Sequence, residues 1–158
     1  MRAQIRSAKL CEGASLSALC VRSKAHWGYD AAFMKLSGAA LNVNEDDIAP
    51  RRVLVAVDDA ARVVGMACVL TDGETSDLDA LFIDPPAIGS GAGRSLFEAA
   101  VAMARRQGAK RMTILADPNA APFYERMGAR YLREAPSDSN PGRTLPFYDY
   151  DLQSGTVS

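Results

Sequence analysis

A group of glycines in the middle of the chain has the composition of a phosphate-binding loop. Gly89, Gly91 and Gly93 follow an apolar run at 81–83 and precede a segment, 95–104, with helical composition and periodicity. A strand, a glycine-rich loop and a helix N-terminus together form an anion site, because the unpaired amides of the helix face the loop and glycine lets a phosphate approach the backbone. The sequence therefore predicts that this unit holds a phosphorylated cofactor.

The spacing of the glycines excludes two common nucleotide-binding loops. The dinucleotide pattern G-x-G-x-x-G requires a last glycine, but counting from Gly89 reaches Arg94 and counting from Gly91 reaches Leu96. The phosphate-binding loop of NTPases requires a lysine where this chain has Arg94. The pattern that fits is G-x-G-x-G after a strand that ends in Asp-Pro.

This loop resembles the pyrophosphate loop of the GCN5-related N-acetyltransferase (GNAT) family, which reads Q/R-x-x-G-x-G/A. Gly91 and Gly93 match its two glycine positions, and Ile88 takes the place of the basic or amide residue. A second segment, 117–129, resembles the acceptor-side motif of the same family, N-x-x-A-x-x-F-Y-x-x-x-G-F/A, with its middle alanine displaced. The two motifs occur in the order that the family has.

The resemblance implies that acetyl-CoA is the co-substrate and lies between two strands that separate from one another. Its pantetheine arm would pair like an extra strand with the backbone of one of them. The residues that we predict to bind acetyl-CoA are Leu81, Phe82, Ile83, Gly89, Ser90, Gly91, Ala92, Gly93, Arg94, Ser95, Asn119 and Tyr124. An amide near Phe82 would stabilise the oxyanion.

Acetyl transfer to an amine requires a neutral nucleophile and a proton for the departing thiolate. An alkyl ammonium has a pKa of about 10.4, so a base or desolvation must remove its proton. Tyr124 matches the family tyrosine near the sulfur of CoA, which implies a role as general acid or in positioning the sulfur; the alternative is a packing residue.

Asp79 is the candidate base. Strand alternation places residue 79 with Leu81 on the cleft side and leaves Leu78, Ala80 and Phe82 as a packed face. A carboxylate there resembles the glutamate that some polyamine-type members of the family carry, and the alternative is a solvated strand charge.

Four further residues are candidates for contact with the acceptor. Trp27, Tyr29 and Phe33 lie between the first two predicted helices, in the region that shapes the acceptor pocket in the resembled family. Arg143 follows a Pro-Gly pair and could hold an acidic group of the acceptor. The alternatives are core packing for the aromatic residues and a solvated loop charge for Arg143.

These residues must be positioned by an α+β fold in one domain, 1–158. A β-meander is predicted at 51–57, 62–70 and 77–83, followed by a helix at 92–107 and a strand at 110–116. A helix at 120–127, with Asn119 as its N-cap, and two further strands complete the chain. This order indicates a mostly antiparallel sheet with helices on both faces and one parallel crossover around the glycine loop. In the resembled family, the third meander strand and the strand at 110–116 splay apart.

The amino-acid composition limits the classes of partner and the compartment that we expect for this protein. The 18 basic and 19 acidic residues are interleaved, and no apolar run approaches the ~20 residues of a membrane span, so we expect neither nucleic acid nor membrane as a partner. Three dispersed cysteines and a single histidine favour a reduced cytoplasm and no metal site. The sequence leaves the oligomeric state open, a homodimer included.

The reading that these observations favour is an acetyl-CoA-dependent N-acetyltransferase acting on a primary amine of a small molecule or peptide. One alternative is a catalytically weak acyl-CoA-binding or sensing module, which the replacement at Ile88 suggests. Another is a toxin-like acetyltransferase acting on aminoacyl-tRNA, against which the lack of a basic patch argues. A dinucleotide enzyme is disfavoured by the glycine spacing.

Overall fold

A seven-stranded sheet with helices packed on both faces forms the core of the protein, in a computed structural model that describes residues 3–38, 41–50, 52–137 and 139–153. The strands are β1 (Gln4–Ser7), β2 (Val53–Val57), β3 (Val63–Asp72), β4 (Thr75–Ile83), β5 (Arg111–Leu115), β6 (Arg130–Pro136) and β7 (Thr144–Asp151). The helices are α1 (Gly13–Ala25), α2 (Ala31–Ser37), α3 (Glu45–Ile48), α4 (Ala92–Arg106) and α5 (Ala121–Met127), and 3-10 turns occur at Leu10–Glu12 and Pro85–Ala87. The predicted α+β class is confirmed.

The strand order is β1-β2-β3-β4-β5-β7-β6, and one neighbouring pair is parallel. That pair is β4 and β5, which the chain joins by crossing over through α4. Every other pair of neighbours is antiparallel. The sheet is therefore mostly antiparallel with one crossover, as the sequence predicts.

Two apolar layers, one on each face of the sheet, follow from the alternation of side chains along the strands. On β3, Ala67 and Val69 belong to the layer that contains α4, whereas Met66 and Cys68 belong to the layer that contains α1. Burying each large apolar side chain in such a layer contributes roughly 1.5–3 kcal/mol. The layers hold α4 and α1 against opposite faces of the strands that carry the site.

Capping residues mark several of the helix ends. Asp30 caps α2 by accepting a hydrogen bond from the Phe33 amide at 2.8 Å. Gly108 follows α4 with φ at +90°, as expected of a glycine at a helix C-terminus. Helix α2 ends at Ser37, and the first predicted residue of the meander, Arg51, lies outside the described residues.

Asn119 does not cap α5, contrary to the sequence prediction. The N-cap position is Ala120, without a side-chain hydrogen bond, and the Asn119 amide group instead donates to Tyr29 and Asp117. The physical reason is that α5 begins one residue later than predicted, and that the bonds from Asn119 Nδ2 to Asp117 at 2.9 Å and to Tyr29 at 3.0 Å orient the side chain.

Candidate active site

The parallel strands β4 and β5 separate halfway along their length. They pair at three positions, from Thr75 with Arg111 to Asp77 with Thr113, and the Thr113 hydroxyl donates to the Asp77 carboxylate at 2.9 Å. From Leu78 onward, β4 runs on for six residues without pairing with β5. The predicted splayed strand pair is therefore present.

A cavity of about 590 Å³ occupies the opening between the separated strands. Its walls come from β4, the glycine loop, the end of β5, α5 and the C-terminal part of α1. The predicted cofactor-binding residues that line it are Leu81, Phe82, Ile83, Gly89, Gly91, Gly93, Arg94, Asn119 and Tyr124. Ser90, Ala92 and Ser95 do not line it; the Ser90 hydroxyl accepts a hydrogen bond from the Ala92 amide at 3.3 Å, and Ala92 is buried in the core.

The glycine loop presents main-chain amides to the cavity. Gly89 and Gly91 have φ angles of +86° and +94°, and open space surrounds the position of an added Cβ at either residue. Within the described part of the chain, the amides of Gly89, Gly91, Gly93 and Arg94 have no hydrogen-bond partner. Because these amides lie at the N-terminus of the 15-residue helix α4, they form a site suited to an anion.

Gly93 has a different reason to be glycine. A Cβ there would stand 3.3 Å from the Phe123 ring and 3.7 Å from the Ile83 side chain. The missing side chain thus lets α4 approach α5 and the end of β4 closely. Ile88, by contrast, is 44% exposed on the cavity wall rather than packed in the core.

Tyr124 is buried yet lines the cavity. It is 5% exposed, and its ring contacts those of Phe97, Phe123 and Tyr148 with centroid separations of 6.2, 5.2 and 6.4 Å. Burial raises the pKa of its hydroxyl, so the group is protonated at neutral pH. Among the described residues this hydroxyl has no hydrogen-bond partner.

Phe123 precedes Tyr124 on α5 and also lines the cavity. Both side chains line the cavity, and Tyr124 is the more deeply buried. The reason is that α5 lies between the cavity and the aromatic cluster, so consecutive residues of its second half reach both.

Asp79 lies on the cavity wall, but for a different reason from the predicted alternation. Cys68 pairs with Ala80 and Val69 with Leu78, so Asp79 is the extra residue of a β-bulge. The bulge places Leu78 in the same layer as Leu81 and Ile83, whereas Ala80 and Phe82 belong to the opposite layer. The predicted packed face of residues 78, 80 and 82 is therefore wrong.

The carboxylate of Asp117, which also lines the cavity, accepts hydrogen bonds from distant parts of the chain. It accepts from Lys24 Nζ at 2.8 Å, from the Tyr29 hydroxyl at 2.8 Å and from the Asn119 amide at 2.8 Å. Burial acts to raise the pKa of Asp117, but the hydrogen bonds from Lys24 and the Asn119 amide outweigh it and hold this pKa below its usual value. Asp117 is therefore ionised at neutral pH.

An aromatic pair stands beside this carboxylate. Tyr29 and Phe33 stack with centroids 4.0 Å apart, and the Arg143 guanidinium lies over both rings at 5.1 and 4.7 Å. Arg143 also donates to the Tyr29 hydroxyl at 2.9 Å. Arg143 is thus neither a solvated loop charge nor a cavity-lining group, and of the predicted acceptor residues only Trp27 lines the cavity.

The sequence reasoning missed four polar residues of the cavity wall: Ser23, Lys24, Asp117 and Arg126. The sequence could have identified Asp117, because a carboxylate after a buried strand and before Pro118 lies at the end of that strand. It could not have identified Lys24, because a lysine near the end of a surface helix is ordinarily solvated.

Comparison with known proteins agrees with this geometry. The family model described as "Acetyltransferase (GNAT) domain" matches residues 31–138. A GCN5-related N-acetyltransferase structure from Rhodopseudomonas palustris is 22% identical, with a TM-score of 0.78 and 96% of both chains covered. The PaiA N-acetyltransferase of Thermoplasma acidophilum in complex with coenzyme A is 13% identical, with a TM-score of 0.78 and 96% and 99% of the chains covered.

A third similar structure is a phosphinothricin acetyltransferase from Sinorhizobium meliloti in complex with AcCoA. It is 19% identical, with a TM-score of 0.70, and the match covers 100% of this chain and 92% of that one. At these identities the structures establish the fold. No curated protein sequence matches the chain.

A splayed parallel strand pair with a glycine loop at the start of the following helix defines the class of acyl-CoA-dependent transferases. The match over residues 31–138 is more specific: the chain belongs to the GNAT family of acetyl-CoA-dependent N-acetyltransferases.

Two features of other protein classes were also sought. In the described part of the chain, no helix has both the length and the apolar character of a membrane span. Among the same residues, His, Cys, Asp and Glu side chains do not gather in threes as they would around a metal ion.

Proposed function

We propose that this protein transfers an acetyl group from acetyl-CoA to a primary amine of a small molecule or peptide, within the cavity between β4 and β5. The observation that carries the proposal is the cavity itself. The unpaired amides of the glycine loop, Tyr124 and Asp79 all belong to its lining. These are the groups that binding a pyrophosphate, protonating a thiolate and accepting an ammonium proton require.

We assign acetyl-CoA binding to the glycine loop and to the part of β4 that does not pair with β5. The amides of Gly89, Gly91, Gly93 and Arg94 would hold the pyrophosphate, supported by the dipole of α4. Leu81, Phe82 and Ile83 carry backbone groups that β5 leaves unpaired, so an extended pantetheine arm could pair with them as a strand does.

The transfer step requires the amine nitrogen to attack the thioester carbonyl carbon. A carbon–nitrogen bond forms, the carbon–sulfur bond breaks, and the amine loses a proton. Asp79, directly or through water, would take that proton, while Tyr124 would donate a hydrogen bond and then a proton to the departing sulfur. Burial raises the pKa of Tyr124, so its hydroxyl is protonated at neutral pH and available to donate to the developing thiolate.

The acceptor would enter from the side of Trp27, which is 42% exposed on the cavity wall. Asp79 on the same cavity supplies a negative charge that would attract an ammonium group before its deprotonation. An amine with an apolar or aromatic neighbour would match both features.

A second candidate function is acyl-CoA binding without rapid turnover. The observation that favours it is Ile88, an exposed apolar side chain where the family loop carries a basic or amide residue. Such a module would bind acetyl-CoA but leave amines unmodified.

Calorimetry and turnover separate these candidates. We expect acetyl-CoA to bind, and NAD and ATP not to bind, in isothermal titrations of the intact chain. Release of free CoA thiol is then measured with spermidine, tyramine and a lysine-containing peptide as acceptors. Turnover of one of these amines supports the transferase, binding without turnover supports the second candidate, and the lack of acetyl-CoA binding contradicts both.

A further inference from the structure

We infer that Asp117 is a positioning residue for acetyl transfer: by holding Lys24 and Tyr29 at once, its carboxylate fixes Trp27 as a wall of the acceptor end of the cavity. The inference rests on the proposed function in that it takes this end of the cavity to receive the amine. It concerns the segment at the end of α1, which no sequence motif of the chain identifies.

The first step is that one carboxylate fixes a short segment at two points. Lys24 lies three residues before Trp27 and Tyr29 lies two residues after it. Lys24 Nζ and the Tyr29 hydroxyl each lie 2.8 Å from Asp117 Oδ2. The Lys24 and Asp117 side chains are each 14% exposed, so this ion pair is largely shielded from solvent.

The second step is that the Tyr29 hydroxyl is fully used. A phenol donates one hydrogen bond and accepts two. Tyr29 donates to Asp117 and accepts from Asn119 Nδ2 at 3.0 Å and from the Arg143 guanidinium at 2.9 Å. Its position is therefore set by three groups from the β5–α5 turn and the start of β7.

The third step is that the backbone between these points bonds only to its own helix: the amides of His26, Trp27 and Gly28 donate to carbonyls of α1 at 3.1, 3.3 and 3.0 Å. Gly28 has a φ angle of +86°, and no atom lies within 4 Å of the position of an added Cβ. His26, Trp27 and Gly28 are exposed. The bonds from Lys24 and Tyr29 to Asp117 thus tie the end of α1, with Trp27, to the β5–α5 turn.

Trp27 is the single tryptophan of the chain, so its fluorescence reports on this segment alone. Two variants of the full chain test the inference: Tyr29→Phe, which keeps the ring stacked on Phe33 and removes the hydroxyl, and Asp117→Asn, which removes the charge. Tyr131→Phe is the matched control, because its hydroxyl bonds to Glu134 at 3.0 Å on an exposed part of β6.

We expect lower Trp27 anisotropy and about a twofold larger acrylamide quenching constant in both variants, because a released segment samples more positions. The KM for the amine that is turned over should rise about tenfold, as loss of a charge-assisted hydrogen bond predicts, while kcat and the Kd for acetyl-CoA stay near the wild-type values. Tyr131→Phe should change none of these quantities.

Unchanged Trp27 anisotropy and quenching in both variants would overturn the inference, even if thermal stability fell. Equal losses in acetyl-CoA affinity and acceptor KM would overturn it as well, since they indicate general destabilisation. The fluorescence measurements require no turnover. A failure of the proposed function in the amine panel is therefore distinguishable from a failure of this inference.

Discussion

The two ends of the cavity are built by different means. The proposed cofactor end consists of main-chain amides and of strand backbone that β5 leaves unpaired, in one continuous stretch, 81–94. The proposed acceptor end depends on side chains: Lys24 and Asp117 line the cavity, and they are linked to Tyr29 and Arg143, whose mutual hydrogen bond spans 114 positions. Main-chain recognition tolerates change in most side chains as long as the glycines remain. Side-chain recognition depends on each residue and can be altered to suit another acceptor.

Tyr124 lines the same cavity, and we expect its loss to affect the transfer step rather than the binding of either substrate. We expect Tyr124→Phe to lower kcat by about 10²-fold, the usual range for a general acid, and to leave the Kd for acetyl-CoA nearly unchanged. Steady-state rates with an accepted amine, paired with calorimetry, measure both.

Tyr148→Phe is the matched control for Tyr124, because Tyr148 is a buried neighbour whose hydroxyl bonds to Glu125 outside the cavity lining. A Tyr124→Phe variant with full kcat would leave Tyr124 as a packing residue.

Gly91 tests the dependence of the cofactor end on main-chain geometry. Gly91→Val puts a branched side chain at a φ of +94° and in the path of a phosphate. We expect the Kd for acetyl-CoA to rise at least about tenfold, since several amide contacts are lost together. The control is Gly73→Val at the β3–β4 turn, where φ is +61° and the surroundings are equally open. Equal weakening in both variants would attribute the effect to backbone strain alone.

Substitution of Asp79 tests whether this residue of the β-bulge is the general base. Asp79→Asn should lower kcat/KM about tenfold at neutral pH, because the amide accepts no proton from the amine. The fall in kcat/KM that a carboxylate base produces as pH decreases should also disappear. Asp72→Asn, an exposed carboxylate outside the cavity lining, is the control. Wild-type rates across the pH range would assign Asp79 to the solvated surface.

Ile88 should produce a smaller change at the cofactor end. Ile88→Arg adds a cation beside the expected pyrophosphate, so the Kd for acetyl-CoA should stay the same or decrease by about threefold at an exposed position. Leu36→Arg makes the same exchange at a 55% exposed position on α2, outside the cavity lining. Weaker acetyl-CoA binding in a folded Ile88→Arg variant would show that the apolar side chain itself contributes.

The smallest effect that we expect is the pH dependence of the stability that the Asp117 carboxylate contributes. The native pKa of Asp117 is held below its ordinary value, so its contribution to stability is present above the unfolded pKa of about 3.9 and is lost as pH falls through the native pKa. The difference in Tm between wild type and Asp117→Asn should therefore shrink by a few degrees between about pH 6 and pH 3. A Tm difference that is independent of pH would contradict this account.

The sequence was sufficient for the fold, because its signals are local. Glycine spacing and apolar periodicity depend on neighbouring residues, and the structure contains the strands and the helix α4 that they predict. The assignment of residues to acetyl-CoA binding stays a prediction. The GNAT resemblance was confirmed.

The acceptor end could not be predicted in the same way. To predict the hydrogen bond between Lys24 and Asp117, one must know which helix packs against which strand end. No local sequence pattern contains that information. Asn119 shows the difficulty directly, since its sequence context favoured a helix cap and a tertiary contact with Tyr29 prevailed.

Because Asp79 is the extra residue of a bulge, the pairing of β4 with β3 does not depend on it. Counted without it, residues 78, 80, 81, 82 and 83 alternate regularly between the two apolar layers. A chain shortened by this one residue would keep the same side chains buried on each side of the sheet. Asp79 is in effect an insertion that adds a carboxylate to the cavity wall at no cost to the core, so strand length as well as residue identity can determine which members of such a fold carry a charge there.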